Sequence, residues 1–88
     1  NLNQADMSMA NLMMSDLSRA NLSEANLYKA NLAQATMQGT DLTNANLKGA
    51  NLLGVKLLNC EQLKSAKFWQ STDRDDSLAC GASILKEK

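Results

Sequence analysis

The apolar positions of this chain recur every five residues. Leucine or methionine occupies every fifth position from Leu2 to Leu57, and the residue before it is Asn or Asp in most repeats. Two positions before each Leu or Met stands a small or β-branched residue, and the two positions after it are mostly polar. Twelve consecutive repeats therefore keep one phase over residues 1–60.

A five-residue period fits neither regular secondary structure. On an α-helix, which turns about 100° per residue, successive leucines would point about 140° apart and form no buried stripe. On a strand they would alternate between the two faces of the sheet. The conflict disappears if the backbone turns by a fixed angle once per repeat. We therefore predict coils with Leu and Ala inside, each stabilised by stacking on the next coil.

The order of a small residue, Asn or Asp, Leu and two variable positions resembles the pentapeptide-repeat family over residues 1–60. The resemblance implies an all-β solenoid, a right-handed quadrilateral β-helix with twenty residues per coil and hence about three coils. The number four comes from the resemblance, because the spacing alone also permits a triangle. Columns of Asn twenty residues apart would hydrogen-bond along the axis. The predicted core includes Leu12, Leu22, Leu32, Leu42, Leu52, Ala25 and Ala45.

The phase of the repeat breaks after residue 60. Gln62 occupies the next central position, and Leu63 begins an apolar spacing of three. We expect a short capping helix over residues 61–70, N-capped by Asn59, and an irregular tail over residues 71–88.

The apolar residues of this segment are suited to cover the last coil. Leu63, Phe68 and Trp69 are predicted to form a hydrophobic lid together with Ala66. The alternative role for the Trp is to stack on a ligand. At the other end Leu2 is already a core position, so further coils or a partner must cover the N-terminal face.

Few residues could carry chemistry. The chain contains no His, and its Ser residues lack a neighbouring base pattern, so we expect no catalysis, no metal and no cofactor. The segment Asp73–Ser77 suggests a calcium loop only superficially, because Leu78 and Ile84 stand where Gly and a bidentate Glu are required. A solvated charged turn is the favoured interpretation.

The charges are balanced, with nine Lys and Arg against nine Asp and Glu. No basic stripe is present that would bind nucleic acid, and no acidic surface imitates a phosphate backbone. No apolar run approaches the roughly 20 residues that span a bilayer. We therefore expect a soluble chain that binds no nucleic acid and does not insert into a membrane.

Exposed apolar residues predict a surface for a protein partner. Stacking by twenty places Met13, Ala33 and Leu53 in one outward column. Met14 and Met9 project from adjacent corners, and Leu58 from the next side. Contiguous apolar patches often mark contacts, although incidental exposure explains the pattern equally well. The predicted partner-binding residues are Met9, Met13, Met14, Leu53 and Leu58.

We expect a non-catalytic structural or protein-interaction module that presents a rigid β-helix face to a protein. The alternative is an architectural subunit of a larger assembly, photosynthetic in view of the abundance of such repeats in cyanobacteria. Protection of topoisomerase by DNA mimicry, known for long, acidic, dimeric members, fits a short neutral chain less well. The compartment is undetermined: thylakoid-associated or lumenal if a targeting segment was removed, otherwise cytoplasmic.

Cys60 occupies an inward position and Cys80 lies in the tail. The two cysteines form either a disulfide that pins the tail to the last coil or two reduced packing residues, because spacing cannot show proximity. Neither a CxxC motif nor a zinc-ligand pattern is present.

The disulfide hypothesis predicts that neither thiol reacts with iodoacetamide until a reductant is added. Mass spectrometry of the denatured, unreduced chain measures this directly. A Cys80→Ser variant is the control, since it leaves Cys60 reactive without reductant. Alkylation of both thiols in the unreduced wild-type chain would disprove the pairing.

Overall fold

The computed structural model describes residues 2–75. Its β pairing consists of isolated parallel bridges between residues twenty positions apart, such as Asp6 with Asn26 and Asn26 with Asn46. Twenty residues hold four repeats, so the backbone returns over itself after every fourth repeat. We call residues 2–20 coil 1, residues 21–40 coil 2 and residues 41–56 coil 3.

Three backbone hydrogen bonds join a repeat of one coil to the repeat above it. Met7 N–H donates to Asn26 O at 2.8 Å, and Met9 N–H donates to Tyr28 O at 2.7 Å. In the opposite direction, Asn26 N–H donates to Ala5 O at 2.8 Å. The same set recurs on most sides between coils 1 and 2 and between coils 2 and 3, which fixes the register at twenty residues.

The Asn or Asp of each repeat shapes the corner that follows it. Its side-chain oxygen accepts a hydrogen bond from the backbone N–H two residues later, which is an Asx turn. Nine described repeats have this bond, and their acceptors are Asp6, Asn11, Asp16, Asn21, Asn26, Asn31, Asp41, Asn46 and Asn51.

The predicted hydrogen-bonded columns of Asn are marginal. The contacts between coils are long, 3.4 Å from Asn26 Nδ2 to Asp6 Oδ1 and 3.5 Å from Asn46 Nδ2 to Asn26 Oδ1. The side-chain oxygen already accepts the backbone N–H two residues later in its own corner, as in Asp6 and Asn26. The Asn side chains therefore act mainly within their own repeat.

The core lies on the axis, and its burial differs between coils. The predicted core residues of coils 2 and 3 are at most 1% exposed, as for Leu32 and Leu52. In coil 1, by contrast, Leu12 and the other inward residues are only half-buried, because no described coil lies beneath them. Thr40 is a buried polar residue among these inward positions, and its hydroxyl donates to Leu17 O at 2.7 Å.

The structure corrects the predicted phase at the end of coil 3. Leu57, predicted to be a core residue, is 64% exposed, and Leu58, predicted to face a partner, is 9% exposed and belongs to the core. In regular repeats the second residue after the central Leu is left-handed, which would be Asn59. Here Asn59 has φ −106° because it N-caps a helix, and the left-handed position moves to Leu57 with φ +63°.

The C-terminal helix is shorter than the predicted 61–70. Helix α1 comprises Cys60–Lys64, and a 3₁₀ turn follows at Trp69–Ser71. Lys67 and Asp73 instead form parallel bridges with coil 3. The open edge of coil 3 requires backbone partners, which a longer helix could not supply because its own groups are paired internally.

The hydrophobic lid also differs from the prediction in one residue. Leu63 is fully buried and Trp69 packs partly buried against the core. Phe68 is 51% exposed, because its left-handed backbone turns the ring outward, where Lys48 Nζ lies 5.8 Å from the ring centroid. One side of the Trp69 ring is covered by the Arg74 guanidinium at 5.1 Å.

The disulfide prediction is not tested by the described residues. Cys60 is half-buried and its thiol is not free. Cys80 lies outside the described residues, so the pairing stays a prediction.

Gln62 closes the side of the coil that α1 interrupts. Its Nε2 donates to Met37 O and to Thr40 O, both at 3.0 Å. In the regular pattern Thr40 O would accept from the backbone N–H of residue 61, as Ala20 O accepts from Asp41. Gln62 Oε1 also accepts from Asn59 N–H at 3.0 Å, which completes the capping box of α1.

Gln62→Glu is expected to lower the free energy of unfolding by about 1–3 kcal/mol. A carboxylate still accepts the Asn59 N–H but cannot donate to the two carbonyls. Thr40 O then loses the Gln62 donor, while Met37 O keeps only the Thr40 N–H. Urea denaturation monitored by circular dichroism measures the change. Gln70→Glu makes the same charge change at an exposed site and serves as the control. Equal effects of the two variants would refute the role of Gln62.

Leu32→Ala is expected to cost about 2–5 kcal/mol, because Leu32 is packed between coils and its removal leaves a cavity. Leu12→Ala should cost clearly less, since the half-buried Leu12 site is open to water. The comparison of the two urea midpoints checks this. A Leu12 variant as unstable as the Leu32 variant would show that coil 1 is covered in solution.

Candidate protein-interaction surface

Four of the five predicted partner-binding residues lie exposed on the surface. The exposed fractions are 69% for Met9, 65% for Met14 and 45% for both Met13 and Leu53. We call these four residues the Met/Leu patch. Leu58, the fifth, is buried and does not belong to it.

Identical corner turns position the outward column formed by Met13, Ala33 and Leu53. Asn11, Asn31 and Asn51 accept hydrogen bonds from the N–H groups of Met13, Ala33 and Leu53 at 3.0–3.1 Å. The corners also bond to one another, with Met14 N–H donating to Ala33 O at 2.8 Å and Gln34 N–H donating to Leu53 O at 2.9 Å. Because these turns repeat in register, the side chains of the column leave the coils in one direction.

Met9 and Met14 occupy the left-handed position of their corners. Their φ angles are +61° and +62°, a backbone conformation that residues other than Gly rarely adopt. In coil 3, Gly54 occupies the position equivalent to Met14, with Gln34 of coil 2 between them. A Cβ added at Gly54 would lie 3.1 Å from Gln34 Cγ. Without a side chain at Gly54, nothing from that corner covers the neighbouring Leu53.

Polar groups border the patch at coil 3. Gly54 N–H donates to Asp75 Oδ2 at 2.9 Å, which places a carboxylate next to Leu53. Lys56 is exposed on the following side. An apolar surface with a polar border is typical of a protein contact. Methionine suits such a surface because its unbranched side chain adapts to different shapes.

Sequence reasoning missed the exposed Leu57. The signal that could have found it is Asn59 followed three residues later by Gln62, the capping-box pattern. An N-cap needs an extended backbone at Asn59, which is incompatible with a left-handed corner there. The pattern therefore implies that the five-residue phase ends before residue 59.

No constellation for catalysis or metal binding is found within the described part of the chain. No group of three or more His, Cys, Asp or Glu side chains there could hold a metal ion. The pKa of Asp16 is lowered by hydrogen bonds from the Ser18 hydroxyl and N–H, and that of Asp41 by the same groups of Thr43. Both shifts follow from corner geometry and pair neither carboxyl with an acid or base.

Among residues 2–75, no helix is long and apolar enough to cross a membrane.

The family model described as Pentapeptide repeats matches residues 1–32 and 25–60, with eight copies of the repeat. The chain belongs to the pentapeptide-repeat family. This confirms the resemblance inferred from the sequence and implies a β-helix fold, in agreement with the twenty-residue pairing. None of the curated proteins compared matches the chain.

A solved structure supports the same assignment. The chain is similar to a pentapeptide-repeat protein, Rfr23, from the cyanobacterium Cyanothece 51142, with 36% sequence identity and a TM-score of 0.53. The match covers 84% of this chain and 52% of that protein. The present chain thus corresponds to about half the length of its structural relative.

Proposed function

We propose that this pentapeptide-repeat chain is a non-catalytic interaction module, a right-handed quadrilateral β-helix of about three coils whose Met/Leu patch binds a protein partner. The observation that carries the proposal is the exposure of Met9, Met13, Met14 and Leu53 at neighbouring corners. Scattered exposed apolar residues are ordinary, but adjacent ones that no described side chain covers are typical of a contact surface.

The framework supports this use because its corners are fixed. Each corner of the patch is held by an Asx turn and by backbone bonds to the next coil. A partner that binds there orders the flexible Met side chains but does not have to order the backbone. Preorganisation of this kind lowers the entropy cost of binding.

Family membership favours a module over an enzyme, since pentapeptide-repeat proteins are generally non-catalytic. An architectural subunit of a larger assembly is the second candidate. The cyanobacterial origin of the related structure agrees with a photosynthetic assembly. DNA mimicry is disfavoured by a net charge of zero.

The double variant Met13→Glu with Leu53→Glu tests the patch. Binding of the partner would bury the two introduced carboxylates without a hydrogen-bonding partner, and their desolvation is unfavourable. We therefore expect the amount of partner retained to fall at least tenfold. The measurement compares the proteins retained by the immobilised wild-type and variant chains, identified and quantified by mass spectrometry.

The control is Gln38→Glu with Gln70→Glu, which adds the same two negative charges at exposed positions outside the patch. Circular dichroism establishes that both double variants keep the fold. Undiminished retention by the patch variant would disprove the site assignment, as would an equal loss with the control variant.

A further inference from the structure

One corner of the coil stack carries two lysines and two aromatic rings. Tyr28 and Lys29 form this corner in coil 2, and Lys48 and Gly49 form it in coil 3. Phe68, from the segment that covers coil 3, lies beside Lys48. Both lysines are exposed, whereas Tyr28 is half-buried. We call Tyr28, Lys29, Lys48 and Phe68 the cationic corner.

A backbone hydrogen bond and a glycine bring the two lysines together. Lys29 N–H donates to Lys48 O at 2.9 Å, which stacks the two residues in successive coils. The side chain of Lys29 lies against Gly49, where an added Cβ would be 3.0 Å from Lys29 Cγ and 3.9 Å from Lys29 Cε. Gly49 therefore leaves the space that Lys29 occupies. As a result, both ammonium groups belong to one corner.

Aromatic rings, and not carboxylates, lie next to the two ammonium groups. Lys29 Nζ lies 5.4 Å from the centroid of the Tyr28 ring, and Lys48 Nζ lies 5.8 Å from that of the Phe68 ring. Neither ammonium forms an ion pair with a described residue. A ring attracts a cation through its quadrupole but does not neutralise the charge. Both positive charges therefore stay available to an anionic group.

The corner is a local excess of positive charge in a chain whose net charge is zero. Lys67 adds a further exposed ammonium on the same side of the coils, where it bridges to Asn46. Asp6 is the acidic residue of that side in coil 1. Its Oδ1 accepts hydrogen bonds from the Ser8 N–H at 3.2 Å and the Ser8 hydroxyl at 3.0 Å.

The cationic corner adjoins the Met/Leu patch. Met9 occupies in coil 1 the position that Lys29 occupies in coil 2, and Met9 N–H donates to Tyr28 O at 2.7 Å. The carboxylate of Asp75 lies at the opposite border of the patch, next to Leu53. A partner on the patch would therefore have two unpaired ammonium groups on one side and a carboxylate on the other.

We propose, on the basis of the function proposed above, that the partner is an acidic protein segment whose apolar side chains contact the Met/Leu patch and whose carboxylates pair with Lys29 and Lys48. Charged contacts around an apolar centre speed association and select the partner by its charge. Apolar side chains in the same contact favour a protein over a nucleic acid, because a phosphate backbone pairs with lysines but offers no aliphatic group to the methionines.

The test uses a defined probe with the full chain. A fluorescent peptide with Leu at every third position and Glu elsewhere is compared with a matched peptide that carries Gln in place of Glu. Fluorescence anisotropy at low ionic strength measures both affinities. We expect the Glu peptide to bind about tenfold more tightly. The double variant Lys29→Gln with Lys48→Gln should lose this preference, as should the wild-type chain at high salt, which screens exposed charges.

The control is Arg19→Gln with Lys64→Gln, which removes two exposed positive charges outside the corner and should keep the preference. Absence of a preference in the wild-type chain, including no binding of either peptide, would overturn the proposal. Equal losses in the two double variants would do the same. Tighter binding of oligothymidylate than of the Glu peptide, with the same dependence on Lys29 and Lys48, would assign the corner to nucleic acid instead.

A third double variant separates this inference from the proposed function. Met13→Ser with Leu53→Ser removes apolar side chains without adding charge, and it should weaken the binding of both peptides. Weaker binding without any preference for Glu would leave the patch assigned and refute the acidic partner. Undiminished binding of the Glu peptide, together with its loss in the lysine variant, would refute the patch as the binding site.

Discussion

The structure depends on one local constraint, the turn of the backbone at every fifth residue. The side-chain oxygen of Asn or Asp bonds to the N–H two residues later, and the next residue is left-handed. This geometry directs the central Leu and the small residue inward on every side of the coil. Because nearly all described repeats have this corner, peptide groups of successive coils meet in register. The hydrophobic core and the hydrogen bonds between coils are consequences of that corner.

A solenoid built in this way must pair the peptide groups of its last coil. At the C-terminal end the regular corner is abandoned at Leu57, and α1 and the bridges of Lys67 and Asp73 pair the last coil. One side-chain amide, that of Gln62, replaces a backbone donor that the helix removes. These contacts pair the peptide groups of coil 3 without a further regular coil.

Much of the fold could be predicted because the repeat is a strong and redundant signal. The phase located the buried residues of coils 2 and 3, such as Leu32, and the exposed corners at Met13 and Leu53. The prediction failed at Leu57 and Leu58, because Asn59 is the N-cap of α1 and needs an extended backbone that breaks the five-residue pattern. The pairing of Lys67 with coil 3 could not be predicted, because it depends on which peptide groups the preceding coil leaves open and not on a sequence pattern.

Methionine is concentrated in coil 1. Four of the five methionines lie in coil 1, and three of them are exposed at its corners. The inward Met7 belongs to the half-buried layer of the same coil. A partner that binds the corners, as proposed, would contact the three exposed methionines, whereas Met7 packs against the core. The unbranched, flexible side chain of methionine suits both positions, since it fills an irregular interior and also adapts to the shape of a partner.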